Sequence, residues 1–224
     1  MSSIDTLVTD PNAFFRDRSE RPSWKGPVLI VTLLALVGVG SSVIQIRATS
    51  ELMSNMMAEA GAGGGFQTIF QAFQLVGVIL GFVFTYVIWA VWAGISYGVS
   101  ALLDGNGGFG TTMKLVGWGF VPSLVGSVLS LLITVYRFEI QGFNPPPPNA
   151  GTQATQQFMQ SLSSGPLVVL SALLGFVFTL WAGLLWTFAM KHARQLTTRE
   201  AAISVAVPVL FGLVGSTWGL VNAL

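Results

Sequence analysis

The stretch "LGFVFT" occupies Leu80–Thr85 and recurs, letter for letter, at Leu174–Thr179. Each copy is followed seven residues later by a tryptophan, Trp92 and Trp186. A second pair of matches follows each. "TTMKLVGWGFVPSLVG" runs from Thr111 and "TTREAAISVAVPVLFG" from Thr197, and both fit TT-x8-VP-x-L-x-G. Two motifs repeated in the same order describe a duplicated helix pair, and internal repeats set a fold before other features do. Chance matching in a small apolar alphabet is the alternative. The copies run in the same order, which predicts a parallel repeat rather than an inverted one.

Composition says where such helices sit. Of 224 residues, 52% are hydrophobic and 8% charged, against about 25% charged in an ordinary soluble domain. So few charges cannot cover a soluble surface. Crossing about 30 Å of hydrocarbon takes about 20 apolar residues. Five stretches meet that length: Pro27–Ile46, a segment inside Ile69–Leu103, Met113–Tyr136, Leu167–Met190 and Ala201–Leu224. Apolar and polar residues do not alternate strictly, so helices rather than a barrel satisfy the backbone in lipid. The first apolar run is too long for a signal-peptide core of about 7–15 residues and reads as a retained span. The expected fold is all-α and polytopic, with residues 1–26 as a cytoplasmic N-terminal segment and 27–224 as a five-helix transmembrane domain, helix pairs 2–3 and 4–5 forming the repeat.

Lys and Arg set the orientation. Arg16, Arg18, Arg21, Lys25, Lys114, Lys191, Arg194 and Arg199 fall on one side and Arg47 and Arg137 on the other. The positive-inside rule then puts the N-terminus inside and the C-terminus outside. The expected location is the cell membrane, or an endomembrane in a eukaryotic cell. On the outer side, Thr49–Gly65 is Met-, Ala- and Gly-rich. Phe143–Gly165 opens with four prolines that favour polyproline II. That segment reads as a recognition loop or as a solvated connector with a short helix through "TQQFMQSL".

Local chemistry fills in the spans. Thr111–Thr112 and Thr197–Thr198 stand where N-caps belong. Pro122 and Pro208 lie near mid-membrane, each expected to kink its helix and free the carbonyls of Trp118 and Ser204. Gly126 and Gly212, one turn on, allow close helix approach. Gly77/Gly81, Gly94/Gly98 and Gly215/Gly219 form GxxxG pairs expected to pack helices inside the bundle, with a homo-oligomer as the alternative. Asp10 followed by Pro11 signals the start of a short helix. That helix carries Phe14 and Phe15 beside Arg16 and Arg18 and is expected to lie in the inner interface, with Trp24 as an anchor.

Catalytic chemistry is sparse. The chain has no Cys and a single histidine, His192, so no familiar zinc site and no thiol nucleophile exists. His192 lies beside Lys191 and Arg194 and reads as part of a basic cluster facing anionic headgroups. "GNGGFG" lacks the surroundings of a dinucleotide or phosphate loop and reads as a flexible turn. Ionisable residues are missing from the depth of the spans, which weighs against an ion-coupled pump. Thr85, Ser96, Ser127, Thr134, Thr179, Thr187, Ser204 and Ser216 are left to line an uncharged path or to bond their own helices. A net charge of +1 argues against nucleic acid. No cofactor, metal or enzymatic activity is expected.

"DPNAFFR" ahead of five spans, with "GGFGTTMKLVGWGFVPSLVGSVL" after the second, resembles the Yip domain family of five-span membrane proteins. The resemblance covers about Asp10 to the C-terminus. It implies a cytoplasmic N-terminus and five helices. For eukaryotic members it implies roles in trafficking, membrane shaping and binding of prenylated Rab-type GTPases. This chain carries "LLDGNGGFG" near the position of their "DLYGP" and is similar to a compact prokaryotic member.

Two functions follow as expectations. The first is a non-enzymatic scaffold or adaptor in the bilayer. It would bind a protein partner through Phe14, Phe15, Arg16, Asp104, Lys114, Lys191, Arg194 and Arg199. The second is a transporter or channel for a neutral or lipidic solute, gated at Pro122 and Pro208.

Overall fold

The computed structural model describes residues 4–59, 61, 64–140 and 151–223. Among these, every regular element is helical. Two short helices come first, α1 (Ile4–Thr9) and α2 (Pro11–Glu20). Then follow α3 (Lys25–Glu59), α4 (Gly64–Ala101), α5 (Phe109–Trp118), α6 (Val121–Val135), α7 (Gly151–Ser163), α8 (Pro166–Arg194) and α9 (Thr198–Ala223). A π-helical turn, Tyr136–Ile140, closes α6. Five segments are long and apolar enough to cross a membrane, at Lys25–Ser50, Thr68–Ala101, Phe109–Phe138, Pro166–Arg194 and Thr198–Val221.

Several expectations change. The first span is not confined to Pro27–Ile46, because α3 has 35 residues, or roughly 52 Å at 1.5 Å per residue. The Met-, Ala- and Gly-rich stretch is therefore mostly helix continuing past the apolar run. The helix expected at "TQQFMQSL" is longer, Gly151–Ser163. The prolines at 145–148 lie outside the described residues.

The two prolines of the repeat do different things. Pro208 sits inside the uninterrupted helix α9. At Pro122 the span is broken, α5 ending at Trp118 and α6 starting at Val121. The backbone tightens before the break: Gly119 N–H donates to the Val116 carbonyl at 3.0 Å and Phe120 N–H to Gly117 at 3.3 Å. Pro122 then occupies the first turn of α6, where a missing N–H costs little. The carbonyl that gains a side-chain donor is that of Val116, which takes the Trp186 indole N–H at 3.1 Å. Trp89 does the same for Met113 at 3.0 Å.

Both indoles lie on glycine. A Cβ on Gly119 would overlap the Trp186 ring, and one on Gly117 would come within 2.6 Å of Pro27 and 3.0 Å of Trp89. Further out, Gly126 receives Phe178 and Gly212 receives Thr179, at 2.8 and 2.9 Å from an added Cβ. The close approach expected at those two glycines is therefore present, and both approaches are made by α8. The GxxxG pairs behave otherwise. An added Cβ at Gly77, Gly81, Gly94, Gly98, Gly215 or Gly219 meets nothing within 4 Å, so these glycines do not pack the bundle interior.

The core is concentrated at one end. Trp89, Leu115, Val116, Trp118, Phe120, Leu185, Trp186, Ala189, Met190 and Val205 are buried there. At the other end, Phe73, Val214 and Trp218 are 70%, 68% and 71% exposed, as suits side chains that meet lipid tails rather than water. The end that carries α1 and α2 is called the N-terminal face below.

Gly119→Ala should destabilise the protein by about 1–3 kcal/mol through overpacking. Gly81→Ala, exposed on α4, should be neutral or stabilising because Ala is the better helix former. Unfolding by dodecyl sulfate titration from mild detergent checks both.

Candidate functional site

Three chain segments meet on the N-terminal face: α1–α2, the loop 102–108, and the turn 195–197. Each is fixed by identifiable contacts. Asp10 caps α2, accepting from Ala13 N–H at 3.0 Å, with Pro11 at the first helical position. Phe14 and Phe15 are fully buried. Phe14 meets Trp118 edge-on at 5.1 Å between centroids. The Arg18 guanidinium lies 4.4 Å from the Trp118 ring centre, and burial lowers its pKa from the usual arginine value while an arginine stays charged near neutral pH. The helix therefore docks on protein. It does not lay its phenylalanines into the lipid interface, because the Trp118 and Leu7 surfaces beneath it are already apolar.

Lys191 and His192 tie α2 to α8. The Lys191 ammonium donates to Asn12 Oδ1 at 3.1 Å, and His192 Nε2 shares that oxygen at 2.9 Å. Thr197 and Glu200 form a capping box at the start of α9. Thr197 N–H and hydroxyl donate to Glu200 Oε2 at 2.9 and 2.8 Å, and Glu200 N–H returns to the Thr197 hydroxyl at 3.3 Å. The matching pair in the first copy is not a cap. Gly108 holds that position, Thr111 and Thr112 lie inside α5, and Thr112 is buried.

Arg194 joins the segments. It is 3% exposed. Its Nε donates to Ser100 Oγ at 2.8 Å. Its two terminal nitrogens donate to the carbonyls of Gly107 and Gly105. The guanidinium lies 4.2 Å from the Tyr97 ring centre. Its own carbonyl accepts from Asn106 N–H at 2.8 Å. Gly107 has φ +121° and packs on the Ala193 carbonyl, so only glycine fits there. "GNGGFG" is thus a clamped loop, not a free turn. Among the described residues Arg194 makes no ion pair, and its charge is met by neutral carbonyls, a hydroxyl and a ring.

The eight residues expected to form a partner surface therefore divide. Phe14, Phe15 and Arg194 are buried. Lys114 is half-buried, 5.0 Å from the Trp24 ring centre, and Lys191 is half-buried on Asn12. Arg16, Asp104 and Arg199 are exposed. Sequence reasoning missed Asn12, Tyr97 and Ser100. Nothing in their spacing marks them, because the loop and Arg194 lie more than 80 residues apart in the chain and meet only in the fold.

The hydroxyls resolve differently. Thr85, Thr134, Thr179, Thr187 and Ser216 bond the carbonyl four residues back, and Ser204 the one three back. Ser127, Thr179 and Ser216 border a groove of about 210 Å³ between α6, α8 and α9, together with Ser123 and Ser130. Phe120, Ala182, Leu185 and Trp186 fill the bundle on the N-terminal side of this groove.

No group of three or more His, Cys, Asp or Glu among the described residues is placed to hold a metal ion. An uncharacterized protein of Methanocaldococcus jannaschii is 27% identical over 141 residues, covering 62% of this chain and 93% of the relative. No solved structure matches. The Yip1 domain family matches residues 4–219. This chain therefore belongs to the Yip1 domain family.

Proposed function

We propose that the protein is a non-enzymatic membrane scaffold whose N-terminal face is cytoplasmic and docks a protein partner. The observation that carries this reading is the Arg194 clamp. A buried guanidinium holding Gly105 and Gly107 turns a glycine-rich loop into a fixed surface, and fixed surfaces bind with less loss of entropy. Around the clamp stand the exposed charges Arg16, Asp104 and Arg199, and the exposed apolar side chains of Ile4, Val8 and Leu102, the last 85% exposed. In this reading residues 1–26 are a docked part of the platform carried by the 27–224 membrane domain, and the cell membrane is its location. The solute-carrier reading is disfavoured by the packed layer of Phe120, Leu185 and Trp186 below the hydroxyl groove.

A photocrosslinker at Leu102 should capture one protein partner in native membranes. The same group at the lipid-facing Phe73 should not. Capture of lipid alone from both positions would count against a scaffold. Because the chain has no cysteine, a single Arg199→Cys variant reports the orientation. Its labelling by a membrane-impermeant maleimide should require access from the cytoplasmic side, and labelling of intact cells from outside would reverse the assignment. Arg194→Lys should cost about 1–3 kcal/mol, since an ammonium cannot fork to two carbonyls and leaves one unpaired. Amide exchange at Gly105–Gly108 should quicken accordingly.

A further inference from the structure

A second feature of the N-terminal face is a polar cavity of about 410 Å³, bordered by Glu20, Gly107, Thr111, Lys191, His192 and Gln195. That volume lies within the usual range for small-molecule sites of about 300–1,000 Å³. It sits where the end of α2, the start of α5 and the end of α8 converge. We propose that this cavity binds a phosphate-bearing group that also carries a hydroxyl or amine, of the kind found in phospholipid headgroups and in free phosphorylated polyols.

Four observations support the assignment. First, Lys191 is held in place. One of its three donors goes to Asn12 Oδ1, which leaves two for a ligand. Second, α5 has ten residues and begins at the cavity without a side-chain cap, since its N-cap is Gly108. Its first-turn N–H groups and its dipole both favour an anion. Third, the Thr111 hydroxyl makes no hydrogen bond to protein among the described residues, although it borders the cavity. Fourth, Arg194 lies directly behind the wall. It grips the Gly107 carbonyl and, among the described residues, has no carboxylate partner. A buried cation without a counter-ion is costly, and an anion in the adjoining cavity offsets that cost.

Glu20 gives the site its discrimination. Among the described residues it is the one carboxylate bordering the cavity. Beside a bare anion it is repulsive, whereas it accepts from a hydroxyl or amine on the same ligand. A phosphorylated polyol or amino alcohol therefore fits better than inorganic phosphate. This site is distinct from the exposed partner surface, and its occupancy does not depend on the scaffold reading.

The full chain in mild detergent is the material for the test. Native mass spectrometry with phosphatidylglycerol probes the headgroup source, and calorimetry with glycerol phosphate probes the free source. Saturable binding of either probe is expected, weakened at least tenfold by Lys191→Gln and several-fold by Thr111→Val. It should be unchanged by Arg47→Gln, which removes an equal charge from exposed α3. Thr111→Val leaves the Asn12 contacts intact, so it reports on the site even if Lys191→Gln loosens α2. Binding of the lipid alone assigns the site to the bilayer. Binding of both admits a soluble ligand. No binding of either probe, or equal binding by all three variants, overturns the proposal.

Discussion

Two indole N–H groups aimed at main-chain carbonyls hold this bundle together where its third span breaks. In hydrocarbon, helices gain nothing from hiding apolar surface, since lipid tails are as apolar as leucine. What remains is close packing and the pairing of every polar group. The break between Trp118 and Val121 threatens both, because it redirects the Phe120 N–H and opens a gap beside Gly119. Trp186 answers both at once. Its ring fills the gap on Gly119 and its N–H joins the Gly119 N–H on the Val116 carbonyl. Trp89 repeats the arrangement one turn earlier, on Gly117 and Met113. The rest of the core at the N-terminal face is assembled around these two rings.

The platform above that core is built by the same logic applied to charge. Arg194 and Lys191 both approach the protein interior, and none of the contacts described for them is to a carboxylate. Their described partners are carbonyls, a hydroxyl, an amide oxygen and aromatic faces. Such contacts fix position without the strict pairing of a buried ion pair. They also leave the face with a surplus of positive charge at the membrane edge. A surface of this kind has a backbone held in place and exposed charges around it, the arrangement on which the proposed docking role rests.

Much of the architecture was legible in the sequence because it follows from length and composition. Five apolar runs gave five spans, Asp10–Pro11 marked the start of α2, and Gly126 and Gly212 marked close helix contacts. The remainder needed tertiary information. Lys and Arg were counted as exposed because a topology count has no term for a guanidinium folded back onto its own loop. Phe14 and Phe15 read as membrane-facing because a short amphipathic helix looks alike whether it docks on lipid or on Trp118. Trp92 and Trp186 occupy the same place in the sequence repeat, yet Trp186 enters the break while Trp92 packs on Phe211. The prolines diverge in the same way. A glycine on each side of Trp118, four residues before Pro122, was the available sign that this span ends and restarts.

That contrast between the two tryptophans offers the most direct test. Trp186→Phe keeps most of the ring and removes the N–H that pairs with Val116, and Trp92→Phe makes the identical change at the matching position. Reversible unfolding in detergent should show a loss of about 0.5–1.5 kcal/mol for Trp186→Phe, the net worth of one buried hydrogen bond, since the Val116 carbonyl keeps the Gly119 N–H, and a much smaller loss for Trp92→Phe. Equal losses for the two variants would contradict the account.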